Sequence, residues 1–183
     1  MVLIGLGGNL PSPGYGAPRR TLTAALTALA GDGIAVAACS AWYKSAPLPP
    51  SDQPWYVNAV AALATEIDPF ALLAALQRVE RQFGRVRGVR NAARTVDLDL
   101  LDYGGLELES TALTLPHPRL HQRRFVLVPL HELAPDWRHP RIGLTAAQLL
   151  ARLANRQRVY RLPFEPGDPP TGQLLSGAKA GCG

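Results

Sequence analysis

Thr95-Val96-Asp97-Leu98-Asp99-Leu100 alternates apolar and acidic residues with a period of two, a pattern that a strand satisfies and a helix does not. In a strand, Val96, Leu98 and Leu100 share a greasy face while the Asp97 and Asp99 carboxylates stand side by side on the other. Neighbouring carboxylates repel unless a cation sits between them. Oxygen-only ligands suit Mg²⁺, which takes one or two carboxylates, keeps waters and draws its other oxygens from nucleotide phosphates. Just upstream, Arg78, Arg81, Arg85, Arg87, Arg90 and Arg94 supply planar, multi-donor groups that grip phosphate. Taken alone, the same residues also describe a solvated basic face beside a soluble edge strand.

The remaining elements follow from local patterns. Met1–Leu6 reads as a buried strand that breaks at Gly7-Gly8-Asn9, where the glycines serve either a tight turn or close backbone approach to a ligand. No G-K-[ST] sequence occurs, so a nucleotide bound here is not held by a Walker loop. A helix from Pro18 ends at Gly31-Asp32-Gly33, and a strand is expected over 34–45. The proline-rich stretch 46–54 is a loop because its prolines lack the donor that a ladder needs. In the next strand, 55–65, Tyr56 and Asn58 share a face; the Asn58 carboxamide matches the edge of a nitrogen heterocycle or, equally, a neighbouring backbone group.

Asp68-Pro69 reads as an N-cap and first-turn proline, and the helix that follows ends at Gly84, with Gln77 and Glu80 sharing a face that points the same way as the loop GRVRGVRNAA, where both can meet a ligand or serve as ordinary helix surface. Gly104-Gly105 is expected to turn the Asp97 strand into a return strand, LELES, as a hairpin. His117, set between two prolines, can be aimed; Arg123 precedes an apolar turn; and 145–153 is a last helix. His117, His121, His131 and His139 lack zinc-like spacing, which argues against a transition-metal site.

A length of 183 residues with 47% hydrophobic content is enough for one domain with a proper core and too short for two of ordinary size. We expect a domain over 1–162 and a mobile Gly/Pro-rich tail over 163–183. The expected core is Leu3, Ile4, Leu26, Val57, Leu73, Leu76, Leu98, Leu100, Val126 and Leu127. The +5 net charge is concentrated in the arginine stretch, which fits an anionic small molecule as readily as nucleic acid. Low aromatic content, without aromatics interleaved among the arginines, argues against nucleic acid. Cys39 and Cys182 show neither metal nor disulfide spacing, and no apolar run reaches membrane-spanning length, so a cytoplasmic setting is expected, with no membrane partner.

In order along 1–137, GLGGNL, S-A-P-L with D-Q-P-W-Y-V-N-A-V, G-R-V-R with R-T-V-D-L-D-L-L-D-Y-G, and L-P-H-P-R with R-R-F-V-L-V-P-L-H-E-L make a chain that resembles the 6-hydroxymethyl-7,8-dihydropterin pyrophosphokinases of folate biosynthesis. The resemblance implies an α+β fold: a ferredoxin-like antiparallel sheet with helices packed on it. It implies transfer of diphosphate from ATP to the pterin hydroxymethyl group, with two Mg²⁺ ions on Asp97 and Asp99 and with Arg85 and Arg94 closing in during the reaction. ATP would be met by Gln77, Glu80, Arg87, Arg90, Arg94, Leu100, Thr114, His117 and Arg123. The pterin would be met by Gly7, Ser45, Ala46, Leu48, Tyr56, Asn58 and Phe125, and a monomer is expected.

Three departures stand out. Many relatives carry R-W-G-P-R where this chain has Arg90-Asn91-Ala92-Ala93-Arg94, so a tryptophan able to cover the pterin is absent. Ala112 and Pro118 replace arginine and tyrosine of some relatives. A threonine-proline pair of the pterin loop is here Ser45-Ala46.

Overall fold

In the computed structural model, which describes residues 1–31, 33–85, 93–154 and 157–172, strand β1 (Val2–Gly8) is buried along nearly its whole length. A strand covered on both faces needs no alternation, which accounts for the continuous apolar run at the N-terminus. Around it are helix α1 (Pro18–Leu29), strands β2 (Ile34–Cys39), β3 (Tyr43–Ser45) and β4 (Tyr56–Thr65), helix α2 (Pro69–Gln82) and strand β5 (Asp97–Tyr103). Short strands β6 (Leu108–Glu109) and β7 (Thr114–Leu115), helices α3 (Arg124–Leu133) and α4 (Ala146–Arg152), and strand β8 (Val159–Arg161) complete the chain.

The main sheet runs β5-β1-β4-β3-β8, with β2 also pairing on β4, and every pairing is antiparallel. In both β1-α1-β2 and β4-α2-β5 the helix crosses over a strand of the other unit, giving the ferredoxin-like α+β arrangement expected from the resemblance.

Two cores flank the sheet. On one face Ile4, Leu6, Ala61 and Leu98 pack under Leu22 and Leu26 of α1 and Leu72 and Leu76 of α2. On the other, Leu3, Val60 and Leu101 pack under Val126, Leu127 and Leu130 of α3 and Leu149 of α4. Asp68 caps α2 by accepting from Phe70 N at 2.6 Å, and a Thr145–Gln148 capping box starts α4. Of the expected core, Val57 and Leu73 are only partly buried.

Several local expectations are corrected. The strand expected over 34–45 is two strands, because the chain shifts register between Val36 and Ala38 and Ser40 leaves the ladder, its hydroxyl accepting from Val60 N at 3.1 Å. No hairpin returns from β5: Gly104 N donates to Met1 O and Gly105 N to Asp102 Oδ1, and β6 pairs with β7 instead. The apolar turn expected after Arg123 is helix α3, which carries Pro129 inside it. Packing does not end at residue 162. Arg19 Nε donates to Asp168 Oδ1 at 2.8 Å, Arg19 NH2 donates to Pro163 O at 2.6 Å, and Gly172 N reaches Cys39 O, so 163–172 is fastened to the domain by groups far away in sequence. The rest of the expected tail, 173–183, lies outside the described residues.

Candidate active site

The sheet register builds the floor of a cleft. Asp97 pairs with Gly7, which pairs in turn with Asn58; one strand-step along, Asp99 pairs with Gly5. Both acidic side chains therefore hang beside glycines, and the α3 face of β1 is bare at those two places. A Cβ on Gly7 would stand 3.4 Å from Asn58 Oδ1, so side chains to either side already crowd its edge. Asn58 is buried, and its Nδ2 donates to Ser45 Oγ at 2.8 Å.

Above this floor is a cleft of about 1150 Å³. It is lined by Gly7, Ser45, Ala46, Leu48, Tyr56, Asn58 and Phe125 at one end and by Gln77, Glu80, Arg85, Arg94, Asp97, Asp99, Leu100, Thr114, His117 and Arg123 at the other. The fold thus brings together every site residue named from the sequence except Arg87 and Arg90, which, with Asn91 and Ala92, lie outside the described residues. Ala112 and Pro118 line it too.

Cations enclose both carboxylates. Asp97 faces Arg85 NH1 at 2.5 Å through Oδ1 and Arg94 NH1 at 2.6 Å through Oδ2. Asp99 Oδ2 accepts from Arg123 NH1 at 2.7 Å and lies 3.8 Å from His117 Nε2. Burial pushes the Asp99 carboxyl up, but Arg123 and His117 outweigh it and leave it below the usual carboxylate range. Burial lowers the His117 imidazole; Asp99 opposes this and Arg123 adds to it, so the ring is held neutral more strongly than an exposed histidine. His117 Nδ1 accepts from Arg119 N at 3.1 Å, so the ring proton is on Nε2, on the Asp99 side.

Glu80 does more than face the cleft. It is buried, pairs with Arg85, and accepts from Leu98 N at 2.7 Å, satisfying the donor that edge strand β5 would otherwise leave exposed. Glu80 is therefore not an ordinary helix surface residue.

The oxygen-only pair suits Mg²⁺. Among the described residues Asp97 Oδ1 is enclosed and accepts no hydrogen bond beside its Arg85 ion pair, and no group of three or more His, Cys, Asp or Glu gathers as a softer metal would require.

Two groups that sequence patterns did not single out also belong here. Asn9, within GLGGNL, donates through Nδ2 to Pro54 O at 3.1 Å and accepts from Arg94 N at 2.8 Å, joining the two ends of the cleft. Gln157 lines the cleft from the segment just before β8, where no motif marks it.

A sheet-floored cleft holding paired carboxylates, a ring of arginines and a buried carboxamide defines a small α+β protein that handles polyanions beside a polar heterocycle pocket. The family model described as 7,8-dihydro-6-hydroxymethylpterin-pyrophosphokinase (HPPK) matches residues 3–135, and the chain belongs to that family. Relatives named 2-amino-4-hydroxy-6-hydroxymethyldihydropteridine pyrophosphokinase include one from Synechocystis, 43% identical over 152 residues covering 82% of this chain and 75% of that protein. Another, from Haemophilus influenzae, is 47% identical over 134 residues, covering 73% of this chain and 81% of its own. A crystal structure of Plasmodium falciparum HPPK-DHPS superposes with a TM-score of 0.58 at 13% identity, over 82% of this chain and 41% of that one, and shows likeness of fold.

Proposed function

We propose that this cleft transfers the diphosphate of ATP to the hydroxymethyl oxygen of 6-hydroxymethyl-7,8-dihydropterin, a step of tetrahydrofolate biosynthesis, in a Mg²⁺-dependent reaction. The observation that carries the reading is the row Asp97–Gly7–Asn58 across three strands, which joins a phosphate-and-metal end to a heterocycle end on one floor. With strands ~4.8 Å apart, the two ends are ~10 Å from each other, about the span of a pterin ring and its hydroxymethyl arm.

In the reaction, the hydroxymethyl oxygen attacks the β-phosphorus, the bond from Pβ to the oxygen bridging it to Pα breaks, AMP leaves, and the hydroxyl proton is lost. Phosphoryl transfer asks little covalent chemistry of a protein, so positioning and charge stabilisation dominate. Asp97 and Asp99 would hold the metal, with two ions as the proposed complement, and bound Mg²⁺ would neutralise phosphate charge and polarise the phosphorus under attack. Arg85, Arg94 and Arg123, now paired with the carboxylates, are within reach of phosphate oxygens once the carboxylates turn to a cation. The neutral His117 ring offers its Nε2–H to a phosphate oxygen.

At the other end, the Asn58 carboxamide, fixed by Ser45, meets the polar edge of the pterin, and Phe125 supplies a ring to stack on it. The loop 46–54 closes that end against water, which would otherwise take the diphosphate. Action as a monomer in a cytoplasmic setting, where ATP is at hand, goes with this reading. Among the described residues no helix is long and apolar enough to cross a membrane.

The decisive assay is AMP release by the purified chain with ATP, Mg²⁺ and 6-hydroxymethyl-7,8-dihydropterin, each omitted in turn. AMP formed only with all three present is expected; AMP formed without the pterin would overturn the acceptor, and AMP formed without Mg²⁺ would overturn the metal.

A further inference from the structure

The family match ends at residue 135, yet the chain beyond it returns to the cleft. Strand β8 adds to the edge of β3, pairing Val159 with Ser45. Just before it, the chain grips a single residue from both sides: Ala46 N donates to Arg158 O at 3.0 Å, and Gln157 Nε2 donates to Ala46 O at 2.6 Å. Just after it, Leu162 N donates to Trp42 O at 2.8 Å, and the Arg19–Asp168 pair fastens the segment to α1.

Ala46 is where the pterin-side loop begins. Pro47, Pro49 and Pro50 have no N–H, so the first stretch of that loop can be held by backbone donors only at Ala46 and Leu48. Its direction is therefore set at its root. The opposite end is tied by Asn9 to Gln53 and Pro54, which leaves the Ala46 end as the one that the C-terminal segment controls.

We propose that Gln157 is a positioning residue for pterin binding: its carboxamide on the Ala46 carbonyl sets the angle at which the 46–54 loop leaves β3, and so how closely the loop covers the heterocycle. The inference rests on the proposed function, in that the pterin lies at this end of the cleft. It gives the segment beyond the family match a part in substrate affinity. Gln157 acts on the pterin side, because it bonds Ala46 at the end of β3 while the Asp97 and Asp99 carboxylates both stand on β5, three strands away in the sheet.

The test compares the wild-type chain with Gln157→Ala, which removes the carboxamide, and Gln157→Glu, which keeps its size but replaces the donor with an acceptor facing Ala46 O. Loss of one hydrogen bond corresponds to a rise in the KM for the pterin of about five- to tenfold, with kcat and the KM for ATP within about twofold. Hydrogen exchange of the 45–54 peptide in Gln157→Glu should quicken while Tm holds. Unchanged pterin KM and unchanged exchange in both variants would overturn the proposal, as would equal rises for ATP and pterin with a fall in Tm. If Gln157→Ala fails to fold, Gln157→Glu decides alone. A wild-type chain that releases no AMP with the full substrate set overturns the pterin reading itself, and this inference with it.

Discussion

Asn9 and its neighbour Leu10 hold the Arg94 backbone through three hydrogen bonds: Arg94 N donates to Asn9 Oδ1 at 2.8 Å, while Asn9 N and Leu10 N donate to Arg94 O at 2.9 and 3.1 Å. Arg94 in turn faces Asp97 at 2.6 Å, so a carboxamide only 2% exposed fixes the backbone from which this carboxylate-paired guanidinium extends. Asn9→Ala is expected to lower kcat about 10- to 100-fold, the scale on which misplacing a charged group costs rate. Asn9→Asp keeps the acceptor for Arg94 N but loses the donor to Pro54, so its kcat should fall less and its pterin KM should rise. An unaltered kcat in Asn9→Ala would remove Asn9 from the argument.

Asp97→Asn keeps the shape of the side chain and removes its charge, leaving Arg85 and Arg94 to face each other across a neutral group. Turnover should fall by at least about 100-fold, as for a lost electrostatic contact in a transition state. Circular dichroism should show a folded protein. Near-normal AMP release from this variant would withdraw Asp97 as a metal ligand.

Arg94→Ala removes the transition-state contact proposed for this residue and is expected to reduce kcat by about 100- to 1000-fold. Steady-state kinetics separates this from a binding role: a change confined to the KM for ATP would contradict it.

Adjacent glycines on β1 should respond differently. A Cβ on Gly8 would lie 2.4 Å from the Thr95 carbonyl, so Gly8→Ala forces the backbone of β1 away from the segment entering β5 and should cost about 1–3 kcal/mol, read as a lower Tm. On Gly7 the nearest atom would be Asn58 Oδ1 at 3.4 Å, so Gly7→Ala should keep most of the stability and weaken pterin binding by raising the floor. Fluorescence titration with the pterin distinguishes the two.

The Arg19–Asp168 pair predicts an acid-sensitive anchor. Burial raises the Asp168 carboxyl, but its hydrogen bonds with Arg19 and with Glu165 N more than offset this, and it sits below the ordinary value. A depressed folded pKa means that the unfolded chain takes up the proton first. The pair's contribution is therefore complete above the unfolded value of about 4, and it declines as pH falls from there through the folded value. Urea midpoints measured from pH 6 down to pH 3 should fall less steeply in Asp168→Asn than in the wild-type chain. Parallel curves would show that this carboxylate does not contribute to acid lability.

What the sequence made legible was what local period and motif can carry. Asp97 and Asp99 were readable as strand neighbours because alternation is a two-residue property, and Asp68-Pro69 as a helix start because a cap is local. The partners opposite them were not. That Gly7 lies between Asp97 and Asn58 depends on pairing among three strands whose pattern of small and apolar residues leaves register open. Helix α3 stands where an apolar turn was expected, and it carries Pro129 inside it. In the structure the proline lacks a donor, but Val126, Leu127 and Leu130 still bury a full face against the sheet. The burial of Glu80 and Arg19 was not legible because their partners, Leu98 N and Asp168, are 18 and 149 residues away.

The glycine-bare stretch of β1 has one further consequence. Because Asp97 and Asn58 are both registered on Gly7, their separation is a multiple of a lattice constant, the spacing between hydrogen-bonded strands, and no loop takes part in setting it. The stretch Arg90-Asn91-Ala92-Ala93-Arg94 can therefore diverge in length and composition while the distance from Asp97 to Asn58 stays the same. The sheet works as a ruler, and the loops are free to drift around the measurement it fixes.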